Sequence, residues 1–387
     1  MLSEPSPLAR RAFGHLLALQ VTFGLAFSTF HMLPKYLMVS LGADAGAVGL
    51  VNGAFALGAA LAAPLVGRAS SRFGAVACLA AASAAMAAGS FAFAFVSSAG
   101  ALAVALRLVQ GMAAAFTFSV GTLIVAALVP PERLTSALAL FITAGLVTTA
   151  VAPAAAEWLM AHHGAAPAFA GAGVCALAGL LPCRWLARGE AGRLAPEGSR
   201  GTAPARDALA RLDRGTLGIV VLSAVFGLAS GVMFTFHQPL ALERGIHRVS
   251  DFLVAFTFTV TALRLAGGSL MDRAGSRAMA RWSFLGYSVA LAGMIVLRPG
   301  QLAGFGVLIG LFHGVLLPSL MALSLEPGSA SREARAAWMN AGMNVGGLGV
   351  AALGPIAART GYSAIFVGAG AILAASAVAL GRPRPRR

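Results

Sequence analysis

Hydrophobic residues run through this chain in long unbroken blocks, not at alternating positions. Windows of about 20 residues with few charges recur, each long enough to cross a hydrocarbon core as a helix. Twelve are predicted, centred on Phe13 to Leu33, Gly46 to Val66, Ala75 to Phe95, Ala101 to Val129, Leu134 to Leu159, Pro167 to Leu186, Leu217 to Leu240, Phe252 to Met271, Ala278 to Leu297, Leu302 to Leu323, Ala336 to Ala357 and Tyr362 to Leu380. The strands of a membrane barrel would alternate in polarity over about ten residues. The pattern therefore predicts an all-α membrane protein.

One long polar stretch interrupts the blocks. "RWLARGEAGRLAPEGSRGTAPARDALARLDRG", from Arg184 to Gly215, is rich in Gly, Ala, Pro and Arg, the composition of a flexible linker. Three parts follow: a six-helix bundle over residues 1–183, a cytoplasmic linker over 184–215, and a second six-helix bundle over 216–387 that ends in a short basic tail. The two bundles read as copies. "FGLAFSTFHMLPKYLMVSLG" (Phe23 to Gly42) and "FGLASGVMFTFHQPLALERG" (Phe226 to Gly245) open with the same four residues, carry Phe-His in their outer halves and close on glycine. Further along come "GRASSRFG" (Gly67 to Gly74) and "GSLMDRAG" (Gly268 to Gly275), which share Gly, Arg and Gly at matching places. Internal duplication is the layout of secondary transporters.

Composition agrees with this reading. Of the 387 residues 58% are hydrophobic and only 11% charged, well above the apolar share of soluble domains. The net charge of +15 does not indicate nucleic acid, because the arginines fall in short loops between spans and form no basic stripe. Twenty-one basic residues lie on one side of the predicted spans, against five on the other: Lys35, Arg244, Arg248, Arg298 and Arg359. The positive-inside rule then puts both termini in the cytoplasm. Cys78, Cys175 and Cys183 fall in or at the ends of spans, without metal-ligand spacing and in odd number, so they read as packing residues.

At these residues the chain resembles the major facilitator superfamily, and the resemblance covers its whole length. That family carries Gly-x-x-x-Asp-Arg-x-Gly-Arg-Arg/Lys between spans 2 and 3, repeated less strictly between spans 8 and 9. The second copy here is the fuller one, with Gly268, Asp272, Arg273, Gly275 and Arg277. The first keeps Gly67, Arg72 and Gly74 but has Ser71 in place of the aspartate. Glycines permit a tight turn and close approach, and an aspartate can complement a helix N-terminus, so the resemblance implies a gating latch, weaker where Ser71 offers only a neutral cap. "RLVQGMAAA" in span 4 supplies Arg107, Gln110, Gly111 and Ala114, the pattern Arg-x-x-Gln-Gly-x-x-x-Ala of the family's proton-coupled exporters. The span 5 glycine-proline motif of antiporters is reduced to Gly145 and Pro153, while span 11 carries Gly346, Gly347, Gly354 and Pro355. Those residues read as sites of close packing and kinks.

The resemblance further implies that spans 1, 4, 7 and 10 line a central cavity. In this sequence they bring His31, then Arg107 and Gln110, then His237 and Gln238, then His313. Asn340 and Asn344, four apart on span 11, share one helix face and complete the expected substrate-binding set. An arginine inside a span costs about 2.5 to 3.5 kcal/mol or more unless it is paired or faces water. No acid lies clearly mid-span: Glu157 and Asp251 read as span-end residues. Proton coupling, if present, falls to Arg107, His31, His237 and His313, since histidine titrates near neutral pH. A cavity of this kind favours anionic or carboxylate-bearing substrates.

The expected function is export of small organic molecules by proton antiport and alternating access, from the inner membrane of a bacterium-like cell, by a monomer. An uptake symporter or facilitator for a sugar or organic acid is the alternative. A membrane-embedded enzyme or a receptor fits less well, because no nucleophile-base cluster stands out. No catalytic residue, metal or cofactor is expected, and the partners are the small-molecule substrate, protons and lipid, without nucleic acid. The orientation is directly testable: a phosphatase reporter that folds only outside the cytoplasm, fused after Arg387, is expected to stay inactive, while the same fusion after Gly245 is expected to be active. The reverse pattern would invert the orientation.

Overall fold

A chain that must keep its backbone out of contact with water has few choices, since each unsatisfied N–H or C=O in hydrocarbon costs several kcal/mol. In the computed structural model, which describes residues 7–188, 214–266, 275–326 and 332–381, the described residues are helical with short connections and no strand. The helices are α1 (Pro7–Thr29), α2 (Leu33–Leu41), α3 (Ala45–Phe73), α4 (Ala75–Phe93), α5 (Ala101–Leu128), α6 (Pro131–His163), α7 (Ala165–Ala178), α8 (Leu180–Arg188), α9 (Arg214–Glu243), α10 (Ser250–Ala266), α11 (Ser276–Gly293), α12 (Leu302–Leu325), α13 (Arg332–Thr360) and α14 (Tyr362–Gly381). Among the described residues, eleven stretches are long and apolar enough to span a membrane. The predicted eighth span is α10, with 17 described residues ending at Ala266.

The first span is longer than its hydrophobic pattern indicates. A three-residue 3-10 turn, Phe30–Met32, joins α1 to α2, and the span runs Leu8–Leu41. Pro34 does not stop it because it falls in the first turn of α2, where a missing N–H is tolerated. Lys35, which the sequence places in an outer loop, therefore lies within a span. Its ammonium meets the Glu157 carboxylate on α6 at 2.6 Å. Glu157, only 9% exposed, lies in the long helix α6, six residues before its end at His163. The pair explains how two charges sit there at all, since each neutralises the other.

By packing, the chain divides into two compact units, Met1–Tyr36 with Ala54–Thr202, and Leu37–Gly53 with Ala203–Arg387. The same helix pairings recur in each. In the first unit α1 packs on α6 and α4 on α5; in the second α9 packs on α13 and α11 on α12. Glycines set the spacing. A Cβ on Gly111 would strike the Phe55 carbonyl, and one on Gly58 the Leu108 carbonyl, where α3 meets α5. At the corresponding contact in the second unit, a Cβ on Gly306 would lie 2.5 Å from the Phe252 carbonyl oxygen and one on Gly310 2.9 Å from that of Phe256. Gly227 and Gly346 do the same between α9 and α13, against the Met343 and Ala224 carbonyls. Gly145 faces Gln20 across the α1–α6 contact, and Gly354 meets the Ala45 carbonyl. Close backbone approach of this kind replaces the hydrophobic drive that lipid removes.

The duplication is also written into the turns. Gly42 and Gly245 have φ of +61° and +72°, Gly74 and Gly275 +88° and +78°, and Gly164 and Gly361 +81° and +80°. Each pair occupies matching places in the two halves, in a conformation that side-chain-bearing residues avoid. Gly74 and Gly275 thus supply the tight turns expected of the gating motif, immediately ahead of α4 and α11. Gly67 does not mark a close approach, for a Cβ there would meet nothing within 4 Å. The Ser71 hydroxyl donates back to the Arg68 carbonyl at 2.9 Å, within α3, which continues to Phe73. Arg72 is exposed, its guanidinium 5.3 Å from the Phe73 ring. Gly268, Asp272 and Arg273 lie outside the described residues. All three cysteines are free, with Cys78 and Cys183 buried.

Forcing a large side chain into a full contact usually costs about 1 to 3 kcal/mol, and a backbone carbonyl cannot rotate away. Gly346→Leu is expected to lower the melting temperature of the purified protein clearly. Gly368→Leu, on an open face of α14 where a Cβ meets nothing, is expected to leave it nearly unchanged. Equal effects would show that the glycine contacts do not set the packing.

Candidate functional site

The polar residues expected in the interior fall into two groups, one in each unit. In the first unit Arg107 sits on α5, 6% exposed, with Gln110 one turn later and fully buried. The Arg107 guanidinium donates through Nη1 to Gln110 Oε1 at 2.9 Å. It also lies over two rings, 4.5 Å from the Phe55 centroid and 5.6 Å from that of Phe30. Among the described residues Arg107 Nε and Gln110 Nε2 have no hydrogen-bond partner, and no carboxylate pairs with Arg107. His31 stands at the 3-10 turn, its Nδ1 3.0 Å from the Ser28 carbonyl oxygen and its ring edge-on to Phe27 at 5.1 Å. Phe27 in turn touches Phe55 at 5.5 Å, so His31 and Arg107 share one aromatic wall.

The local sequence explains this arrangement. Gly111, next to Gln110, lets α5 approach α3 until Phe55 reaches the guanidinium. The motif glycine and the motif arginine are thus coupled: without the first, the ring would stand off from the second.

In the second unit His237 and Gln238, both fully buried, lie on α9. His237 Nδ1 is 2.6 Å from the Met233 carbonyl oxygen, and its ring stacks on Phe252 at 4.5 Å. His313 on α12 is ringed by aromatic side chains: Phe226 at 4.8 Å, Phe256 at 5.0 Å, Tyr287 at 5.8 Å and Phe234 at 6.4 Å. Its Nδ1 has no hydrogen-bond partner among the described residues. Phe252 and Phe256, one turn apart on α10 and 6.2 Å between centroids, link the two histidines through a run of rings. Asn340 is exposed and Asn344 half-buried on α13, and neither joins the His237 and His313 cluster through a hydrogen bond.

Several residues escape the sequence reading. Phe27 and Phe55 complete the wall around Arg107, and Phe226, Phe252, Phe256 and Tyr287 enclose His313. Isolated phenylalanines in apolar spans carry no distinguishing pattern. Arg264 on α10 is different: it is a half-buried span arginine, and its residue type alone marks it as costly. Thr257 and Thr261, spaced to share its helix face, have hydroxyls with no partner among the described residues. Among the described residues, no three His, Cys, Asp or Glu side chains gather as metal ligands.

Comparison with known proteins agrees with the duplicated helical plan. The Major Facilitator Superfamily model matches residues 16–252 and 236–387. No protein of curated function matches the sequence. Among solved structures, a point mutant of the nucleoside transporter NupG superposes with a TM-score of 0.80 at 14% identity, covering 96% of this chain and 100% of that one. NupG itself gives 0.76 at 14% identity, covering 95% and 98%. The human organic anion transporter MFSD10 (TETRAN) gives 0.67 at 20% identity, covering 97% and 100%. Matched along nearly its whole length, the chain belongs to the Major Facilitator Superfamily and is a multi-pass membrane transporter, not an enzyme.

Proposed function

We propose that the protein exports small organic anions, carboxylates above all, in exchange for protons across the inner membrane of its cell. The observation that carries the substrate class is Arg107. Two ring contacts offset part of the cost of its charge, each about 0.5 to 2 kcal/mol, against about 2.5 to 3.5 kcal/mol or more for an arginine in mid-span. One neutral hydrogen bond to Gln110 leaves Nε unused. A planar fork with unused donors in an aromatic setting matches a carboxylate, and substrate binding would supply the missing counter-charge. That one structural relative is an organic anion transporter is in keeping with this reading.

Proton exchange is assigned to histidine, with His31 beside the Arg107 wall and His313 and His237 in the second unit. Each has a ring packed on phenylalanine, so a gained proton would be felt strongly in a weakly polar surrounding. Asn340 and Asn344 are the remaining proposed substrate contacts. The moving bodies are the two six-helix repeats, residues 1–183 and 216–387, joined by the 184–215 linker, in a monomer with both termini in the cytoplasm. The turns at Gly74 and Gly275 serve as the gate.

A ligand screen of the purified protein by thermal stability tests this. At 100 times its dissociation constant a ligand specific for the folded state adds about 2.7 kcal/mol, a clear shift. Carboxylates are expected to stabilise the wild type, and Arg107→Gln to abolish that shift. Arg107→Lys should recover only part of it, since lysine lacks the fork. Stabilisation by cations, or a carboxylate shift that survives Arg107→Gln, would contradict the anion assignment.

A further inference from the structure

On the second unit, away from the histidines, a groove of about 710 Å³ runs between the start of α9 and the end of α14. This is within the range of built ligand pockets, about 300 to 1,000 Å³. Leu217 and Val221 form one wall and Ile372, Ala375 and Ala379 the other. Leu217, Val221 and Ile372 are 53%, 52% and 43% exposed. The groove exists because small residues line it: Gly218, where a Cβ would meet nothing, and the alanines opposite.

Apolar surface alone would be ordinary on a membrane protein. Here the same groove contains Arg277, whose Nε donates to the Leu380 carbonyl at 3.1 Å and so fixes the guanidinium at the groove's end. One turn further along α11 stands Arg281. It is exposed, makes no hydrogen bond or ion pair among the described residues, and lies against Gly381, where a Cβ would come within 2.8 Å of its Cζ. Four residues apart on α11, the two guanidinium groups share one face of the helix. Ser276 bonds to Glu326 Oε1 at 3.3 Å, which brings a carboxylate near one side of Arg277. Arg382, Arg384, Arg386 and Arg387 follow Gly381 in the sequence. Trp282, 61% exposed and 5.8 Å from the Arg281 guanidinium, is the kind of amphipathic ring that sits at headgroup level.

We propose that this groove holds one anionic phospholipid, its phosphate on Arg277 and Arg281 and an acyl chain lying between α9 and α14. A basic pocket between spans at an arginine-rich membrane face has the chemistry for that headgroup. Apolar walls without charge would take any lipid; the two guanidinium groups make the site selective. The site is independent of the transported substrate.

Native mass spectrometry of the full-length protein, titrated with phosphatidylglycerol or phosphatidylcholine of matched chains, tests it. One phosphatidylglycerol is expected to be retained about tenfold more strongly than phosphatidylcholine. Arg281→Gln, which disturbs no bond among the described residues, should weaken that preference, and Arg277→Gln with Arg281→Gln should remove it. Ala379→Phe fills the groove without changing charge and should also expel the lipid. Equal retention of the two lipids would overturn the proposal, as would a preference that survives the double variant. So would an unaltered preference in Ala379→Phe, which would reduce the effect to general attraction by a basic face. Displacement of the lipid by millimolar inorganic phosphate would make the arginines a free-anion site instead.

Discussion

Everything in this protein depends on how its helices touch. In lipid the backbone satisfies itself within each helix, but the apolar side chains that hold a soluble core together gain nothing by leaving one hydrocarbon surrounding for another. What remains is contact area, and contact is largest where glycine removes the side chain altogether. The Gly111, Gly58, Gly227 and Gly346 contacts bring one helix against the carbonyls of its neighbour in both units. The repeated pairing follows from the repeated glycines.

The same contacts position the chemistry. Arg107 is surrounded by rings because α5 and α3 approach through Gly111, and His313 is enclosed because α12 approaches α10 through Gly306 and Gly310. Charged groups in the spans are then handled in two ways. Lys35 and Glu157 neutralise one another at 2.6 Å, a closed arrangement that asks for no ligand. Arg107 has rings and one amide but no carboxylate among the described residues, an open arrangement that binding can complete. Removing a partner from the first leaves a stranded charge; adding a partner to the second relieves one.

Much of this was legible in the sequence because membrane helices are written as length and composition. Spans, duplication, the Arg107 motif and the turn glycines at Gly74 and Gly275 could all be read directly. Lys35 and Glu157 could not: the first span continues past Pro34 for a reason that depends on where the proline falls within a turn, and an ion pair 122 residues apart in sequence leaves no local signature. Nor could the ring around His313, since Phe226, Phe256 and Tyr287 look like any other apolar span residues until three helices converge. Ser71 was legible as a polar residue of the turn, whereas its bond back to the Arg68 carbonyl within α3 was not. Arg264 was visible and undervalued among so many loop arginines.

The proposed coupling of organic-anion transport to protons can be measured. Transport by the purified protein in liposomes, with an imposed pH gradient and labelled mono- and dicarboxylates, tests it most directly. Carboxylate is expected to move opposite to the proton flux, and that movement to be lost when a protonophore collapses the gradient and to be absent in liposomes without protein. Carboxylate movement indifferent to the gradient, or transport confined to neutral or cationic solutes, would contradict it.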